Sequence, residues 1–152
     1  NYHNIGFIKK VFPNSKIIHI QRDPWDNAIS LFKQFYVSNI PFASTFFSLG
    51  IVYANYEEIM RFWREDMRYD FLTINYEDLV LNTQEIGNQI FEYCQLPQKY
   101  NPLDRGRFFA RTASKNQVTK EVHTNSLKKK SFENQRSIFM DSLRNQRAYW
   151  KK

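Results

Sequence analysis

A short apolar strand that runs directly into an Asp-Pro helix start limits this chain more than any other feature. Residues 15–31 read S-K-I-I-H-I-Q-R-D-P-W-D-N-A-I-S-L. Lys16–Ile20 is rich in β-branched residues and bounded by Pro13-Asn14-Ser15, the pattern of a buried strand. Asp23 suits the cap of the next helix, Pro24 its first position, and Asp26 puts a carboxylate in its first turn. Ser30 lies two turns beyond Asp23, and at ~100° per residue it returns to nearly the same face. Arg22 and Ser30 can therefore address one point at the carboxyl end of a strand, where open α/β sheets bind ligands. An arginine fork beside a hydroxyl suits a phosphate. The competing reading is a surface ion pair of Arg22 with Asp26 or Asp78, and the local pattern weighs the two equally.

The rest of the chain extends this unit. Asn4–Phe12 places Ile5, Ile8 and Phe12 at helical spacing before the Pro13-Asn14 stop. The helix after the first strand is expected to reach about Tyr36, and Ser38–Thr45 to form a loop. Phe46–Arg68 reads as one long helix, with Phe46, Leu49, Tyr53, Tyr56, Met60, Trp63 and Met67 on a single stripe. That spacing assigns the stripe to core packing rather than to a ligand pocket. A second strand, Phe71–Asn75, runs into Tyr76-Glu77-Asp78. Asn82-Thr83-Gln84-Glu85 has the form of a capping box, opening a helix with Ile86, Ile90 and Cys94 inward and Leu96-Pro97 at its end. The order helix, strand, helix, long helix, strand, helix predicts an α/β fold with parallel strands joined by right-handed crossovers. After Gln98 the regular signals weaken. Arg111–Lys130 is polar and basic, and Glu133–Lys152 is expected to form a terminal helix carrying Ile138, Phe139, Leu143 and Trp150. Two strands make a thin sheet, and the chain opens on Asn1. Both lead to the expectation that an N-terminal part of a larger domain precedes this sequence.

Composition narrows the functional classes. With 42% hydrophobic and 17% aromatic residues, the chain is globular rather than disordered. It holds no apolar run long enough to span a bilayer, no leader-like opening and no N-x-[ST] sequon, and its single cysteine, Cys94, reads as a core thiol near a helix end in a reducing, cytoplasmic compartment. The net charge of +7 is uneven. Residues 1–104 carry nine Lys/Arg against twelve Asp/Glu, and residues 105–152 carry thirteen against three. The basic last third calls for a polyanion. His3, His19 and His123 lack ligand spacing, so no metal is expected, and His19 reads as a core histidine.

Taken in order, the Ser15–Leu31 motif, Tyr76-Glu77-Asp78-Leu79 and Thr112-Ala113-Ser114-Lys115-Asn116-Gln117-Val118 resemble the C-terminal part of a sulfotransferase that uses 3′-phosphoadenosine 5′-phosphosulfate (PAPS). The nearest likeness is to the bacterial enzymes often fused to tetratricopeptide repeats and to tyrosylprotein sulfotransferases. Asn4–Ser30 is similar to that family's 3′-phosphate-binding region, Phe71–Leu96 to its strand, turn and following helix, and the last motif to the segment that closes over the nucleotide. The resemblance implies part of a P-loop-NTPase-like fold, a parallel sheet flanked by helices, whose N-terminal phosphosulfate loop is missing. One domain is then expected, with residues 1–97 as an α/β core and 98–152 as a basic closing segment and terminal helix. It implies that Arg22 and Ser30 hold the 3′-phosphate and that Tyr76 sits near the adenosine. Ser114, Gln117 and Lys120 would line the closing segment, and Lys129 would add a phosphate contact. Many relatives carry an aromatic residue after the equivalent lysine, whereas this chain has Lys130, which allows the contact to shift within Lys128-Lys129-Lys130.

The resemblance also sets the expected chemistry. Sulfuryl transfer is an in-line displacement at sulfur that depends on positioning and on cations stabilising charge on the leaving oxygen. The donor would be PAPS, the product adenosine 3′,5′-bisphosphate, and the acceptor a hydroxyl of unknown identity. Gly6, Gly50, Gly87 and Gly106 are isolated, so no glycine-rich loop in this sequence cradles the 5′-phosphosulfate. Glu77 and Asp78 are read as residues of the strand–helix turn, not as a base, and the chain is expected not to transfer sulfate alone. Two alternatives stand beside this reading. One is a basic module binding RNA or single-stranded nucleic acid through Arg105–Arg111 (R-G-R-F-F-A-R), although no nucleic acid is expected as a partner. The other is a nucleotide-binding domain without catalysis. An exposed sheet edge leaves room for a homodimer.

Overall fold

Asp23 caps the helix that follows the first strand by accepting a hydrogen bond from the Asp26 amide at 2.9 Å. That helix, α2, spans Pro24–Ser38, and the strand before it, β1, spans Ile18–Gln21. The computed structural model describes residues 1–38, 41–97 and 132–151, with only the backbone described for residues 34–38. Besides β1 and α2 it contains α1 (Ile5–Val11), α3 (Phe46–Arg61), β2 (Leu72–Asn75), α4 (Tyr76–Leu81), α5 (Thr83–Tyr93) and α6 (Glu133–Trp150). Short 3₁₀ turns at Tyr2–Asn4 and Pro41–Ser44 precede α1 and α3. The chain divides into two compact units. One holds the described residues of Asn1–Ile17, Arg22–Phe71 and α6, and the other holds β1 and the described residues from Leu72 onward.

The first unit is built on α3. Thr45 caps it, its hydroxyl accepting from the Ser48 amide at 3.1 Å. Phe46, Leu49, Tyr53 and Ala54 face a core completed by Trp25, Ala28 and Ile29 of α2, Ala43, and Phe139 and Leu143 of α6. Helices α3 and α6 approach closely because Gly50 has no side chain. A Cβ there would lie 2.0 Å from Ser142 Oγ and 2.6 Å from the Phe139 carbonyl oxygen. The buried Ser142 hydroxyl donates to that same carbonyl at 2.9 Å, so the hydroxyl is satisfied at the crossing. Further along, Arg147 meets Glu57 in a two-pronged contact of 2.6 and 2.7 Å, and Asn55 Oδ1 accepts from both Gln146 and Trp150.

The expected single helix over Phe46–Arg68 is broken. The α-helix ends at Arg61, a π-helical turn covers Phe62–Asp66, and Arg68 adopts a left-handed backbone with φ of 52°. The amides of Met67 and Tyr69 bond back to the Phe62 and Trp63 carbonyls, each at 3.0 Å, and close the turn. The core stripe accordingly holds through Met60, while Trp63 is half-buried and Met67 exposed. Trp63 anchors the N-terminal segment instead, its indole N–H donating to the Tyr2 carbonyl at 2.8 Å. On α1, Ile5 is buried as expected, but Phe12 lies beyond the helix end and is exposed.

In the second unit β1 and β2 pair in parallel, Ile18 opposite Leu72 and Gln21 opposite Asn75. The expected buried strand Lys16–Ile20 is corrected in two respects. It starts at Ile18, and only its histidine is buried, whereas Ile18 and Ile20 are 37% and 51% exposed. Continuous burial of a parallel strand needs cover on both faces, and among the described residues β1 has one strand neighbour. Helix α5 starts where Asn82 and Glu85 place it, but the Asn82 side chain makes no capping bond. The Thr83 hydroxyl instead donates to the Leu79 carbonyl at 2.9 Å, tying α5 to α4. Gln95 ends α5 with φ of 58°, and the amides of Gln95 and Leu96 return to the Glu92 and Phe91 carbonyls. Cys94 at this end is half-buried rather than a full core thiol.

The α3–α6 crossing sets a stability test. Gly50→Ala forces a methyl against a backbone carbonyl that has no room to yield, and overpacking of this kind costs about 1–3 kcal/mol. Urea denaturation is expected to show a lower midpoint with an unchanged slope.

Candidate functional site

Arg22 leaves β1 at its carboxyl end and immediately precedes the cap of α2. Its side chain is 16% exposed, and its guanidinium stands 3.7 Å from the Asp26 carboxylate, one helical turn away. The surface-pair reading thus holds in part for Asp26. At 3.7 Å this contact is an ion pair longer than a hydrogen bond, short of a two-pronged clamp. Ser30 sits one further turn along α2, so Asp26 and Ser30 share the helix face that follows Arg22. The backbone at Arg22 is pinned from α3, where the buried Tyr53 hydroxyl donates to the Arg22 carbonyl at 2.9 Å.

Tyr53 was legible in the sequence only as one member of the core stripe; its hydroxyl contact joins positions distant in sequence. Burial, then the neighbouring Tyr56, Glu57 and Asp23, raises the Tyr53 phenol well above its ordinary value and keeps it a neutral donor. Tyr56, edge-on to Tyr53 at 5.3 Å, is pushed up to about 12, chiefly by burial and next by Glu57. Trp25, in the first turn of α2, was also missed as a polar feature. Its indole Nε1 is buried with no hydrogen-bond acceptor among the described residues. Leaving such a donor unsatisfied typically costs about 1–3 kcal/mol.

Tyr76 opens α4 directly after β2 and is half-buried. Asn75 Nδ2 donates to Asp78 at 3.1 Å, and Glu77 and Asp78 both occupy the first turn of α4. That is the turn-fixing role read from the sequence. It also favours the helix, because carboxylates stabilise an N-terminal turn. Arg22 and Ser30 belong to the first unit and Tyr76 to the second. Ser114, Gln117, Lys120, Lys129 and the Arg105–Arg111 segment lie outside the described residues. Among the described residues no group of three or more His, Cys, Asp or Glu could hold a metal, and no helix is long and apolar enough to cross a membrane.

The sequence model of the sulfotransferase family matches residues 1–101, which include Arg22, Ser30 and Tyr76. A protein of Aquifex aeolicus (strain VF5), described as an uncharacterized protein, is 27% identical over 134 residues. The match takes in 85% of this chain and 18% of that relative, so the chain spans less than a fifth of its length. No solved structure gives a significant match.

The tyrosine pair sets a pH dependence. The unfolded chain ionises these phenols near 10, and the folded chain ionises Tyr56 only near about 12 and Tyr53 higher still. In that interval the unfolded state has lost protons that the folded state keeps. The stabilisation is therefore full below about pH 10 and is lost as the pH rises toward about 12. Urea midpoints should fall between about pH 9 and about pH 11, and Tyr56→Phe should make the fall shallower.

Proposed function

This chain belongs to the sulfotransferase family, and on that premise we propose that it supplies the 3′-phosphate- and adenosine-binding half of a sulfuryl transfer from PAPS to a hydroxyl acceptor. The observation that carries the proposal is the β1–Arg22–α2 junction. A partly buried guanidinium follows the strand end, its backbone is held by Tyr53, and a helix capped by Asp23 presents Ser30 on the face that follows. An arginine fixed in this way loses little freedom on binding a phosphate, which favours tight and selective capture.

The residues fit a phosphate with one qualification, the Asp26 carboxylate near Arg22. Its role in the proposal is to hold the guanidinium in place until the phosphate, carrying more charge, displaces it. Ser30 then donates its hydroxyl to the same group. Tyr76, at the start of α4, offers a ring for the adenosine. Ser114, Gln117 and Lys120 would close over the nucleotide, and Lys129 would add a cation. PAPS supplies the sulfuryl group. The contribution of this chain is to orient and anchor the nucleotide, so that the leaving oxygen departs along a fixed line. Transfer itself is proposed to need groups outside this sequence. No metal enters the scheme, and a cytoplasmic setting and a homodimer remain parts of the proposal. The family match does not favour the nucleic-acid alternative.

Arg22→Ala tests the reading. Hydrogen bonds to charged groups contribute roughly 1.5–3 kcal/mol. Calorimetry should therefore show adenosine 3′,5′-bisphosphate binding weakened about tenfold to a hundredfold, with adenosine 5′-phosphate little affected. Equal loss for both nucleotides would assign Arg22 a structural role.

A further inference from the structure

The first unit carries a second basic feature, on the opposite flank of the sequence motif from α2. An open groove of about 610 Å³ runs between α1 and the π-helical turn that ends α3. Lys9, Lys10 and Arg68 line it, with Asp70 as the single carboxylate, so cations outnumber anions by two. Lys9 donates to the Ser15 carbonyl at 2.5 Å and is thereby held at the groove edge. Its wall is aromatic, since Trp63 and Tyr69 stack at 5.9 Å with 14° between their planes. The indole is fixed by its bond to the Tyr2 carbonyl. Gly6 makes room for it, because a Cβ there would stand 2.7 Å from the indole ring.

Two backbone irregularities converge on this groove. A π-helical turn is a rare structure, found frequently at functional sites. Arg68 takes a left-handed backbone that glycine or asparagine would adopt more easily. Strained backbone of this kind clusters at active sites and ligand clamps. Neither feature is needed to build the core, whose stripe is already complete at Met60.

We propose that this groove binds a small ring-bearing dianion, of which an aryl phosphate is the simplest example. The oxyanion is taken by Lys10 and Arg68 with Lys9 beside them, and the ring lies along the Trp63–Tyr69 wall. The net excess of two positive charges favours a dianion over a monoanion. The aromatic wall favours a ring over a bare inorganic ion.

The test is a titration of the chain with phenyl phosphate at low ionic strength, followed by the NMR signal of the Trp63 indole N–H and the amides of Lys10 and Arg68. Saturable shifts at these positions are expected, with benzoate and inorganic phosphate each binding about tenfold more weakly and phenol causing no saturable shift. Lys10→Gln and Arg68→Asn together should weaken phenyl phosphate at least tenfold. Both positions are exposed, and asparagine accepts the left-handed backbone, so the fold is expected to persist with unchanged signal dispersion. Unsaturated shifts, equal affinity in the double variant, or shifts confined to Arg22 and Ser30 would overturn the proposal. Equal affinity for phenyl phosphate and inorganic phosphate would overturn the role of the aromatic wall.

Discussion

The first unit depends on how closely α3 and α6 approach. That approach is possible because Gly50 presents only hydrogen to Ser142 and the Phe139 carbonyl. One turn along α3, the same geometry buries Tyr53, whose hydroxyl reaches back to the Arg22 carbonyl. A contact with no chemistry of its own thus fixes the backbone from which the Arg22 side chain projects. The Glu57–Arg147 clamp lies on the same two helices, is partly exposed, and serves more to set their register than to add stability. Apolar burial of Ile29, Phe139 and Leu143, each close to fully enclosed, supplies the larger driving force.

Electrostatics at Arg22 are finely divided. Burial of a guanidinium needs compensation, and Asp26 supplies part of it from one helical turn away. A carboxylate close enough to pair tightly would compete with any incoming anion. At 3.7 Å it shields the charge without clamping both prongs of the fork. Asp23, by contrast, is committed to the helix cap. Two neighbouring carboxylates in one motif therefore do different work, one for the backbone and one for the side chain.

Local rules made part of this legible in the sequence. The Asp23 cap, Pro24 at the first helical position, the parallel strand order and the α3 stripe through Met60 all follow from residue type and spacing. The π-helical turn was not legible, because Trp63 and Met67 continue a plausible helical pattern, while in the structure Trp63 is tied instead to the distant Tyr2 carbonyl. The exposure of Ile18 and Ile20 was hidden for a related reason. An apolar run states that cover is wanted, not which chain provides it. Asn82 shows the limit of short motifs: its position marked the start of α5, while a neighbouring threonine made the bond. At the candidate site helical periodicity placed Ser30 on the face of α2 that follows Arg22. Tyr53 could not be connected to Arg22, since nothing in the sequence relates a stripe residue to a distant carbonyl.

The partnership of α3 with α6 has a consequence for synthesis. Chain order places Trp25, Phe46 and Leu49 on the ribosome well before Phe139 and Leu143. Until the last helix emerges, the apolar side of α3 has no cover from α6, and the nascent chain presents a sticky surface for the whole time that residues 62–132 are being made. Co-translational folding of this unit is therefore delayed to its final helix, and holdase chaperones have a defined interval and a defined helix face to protect.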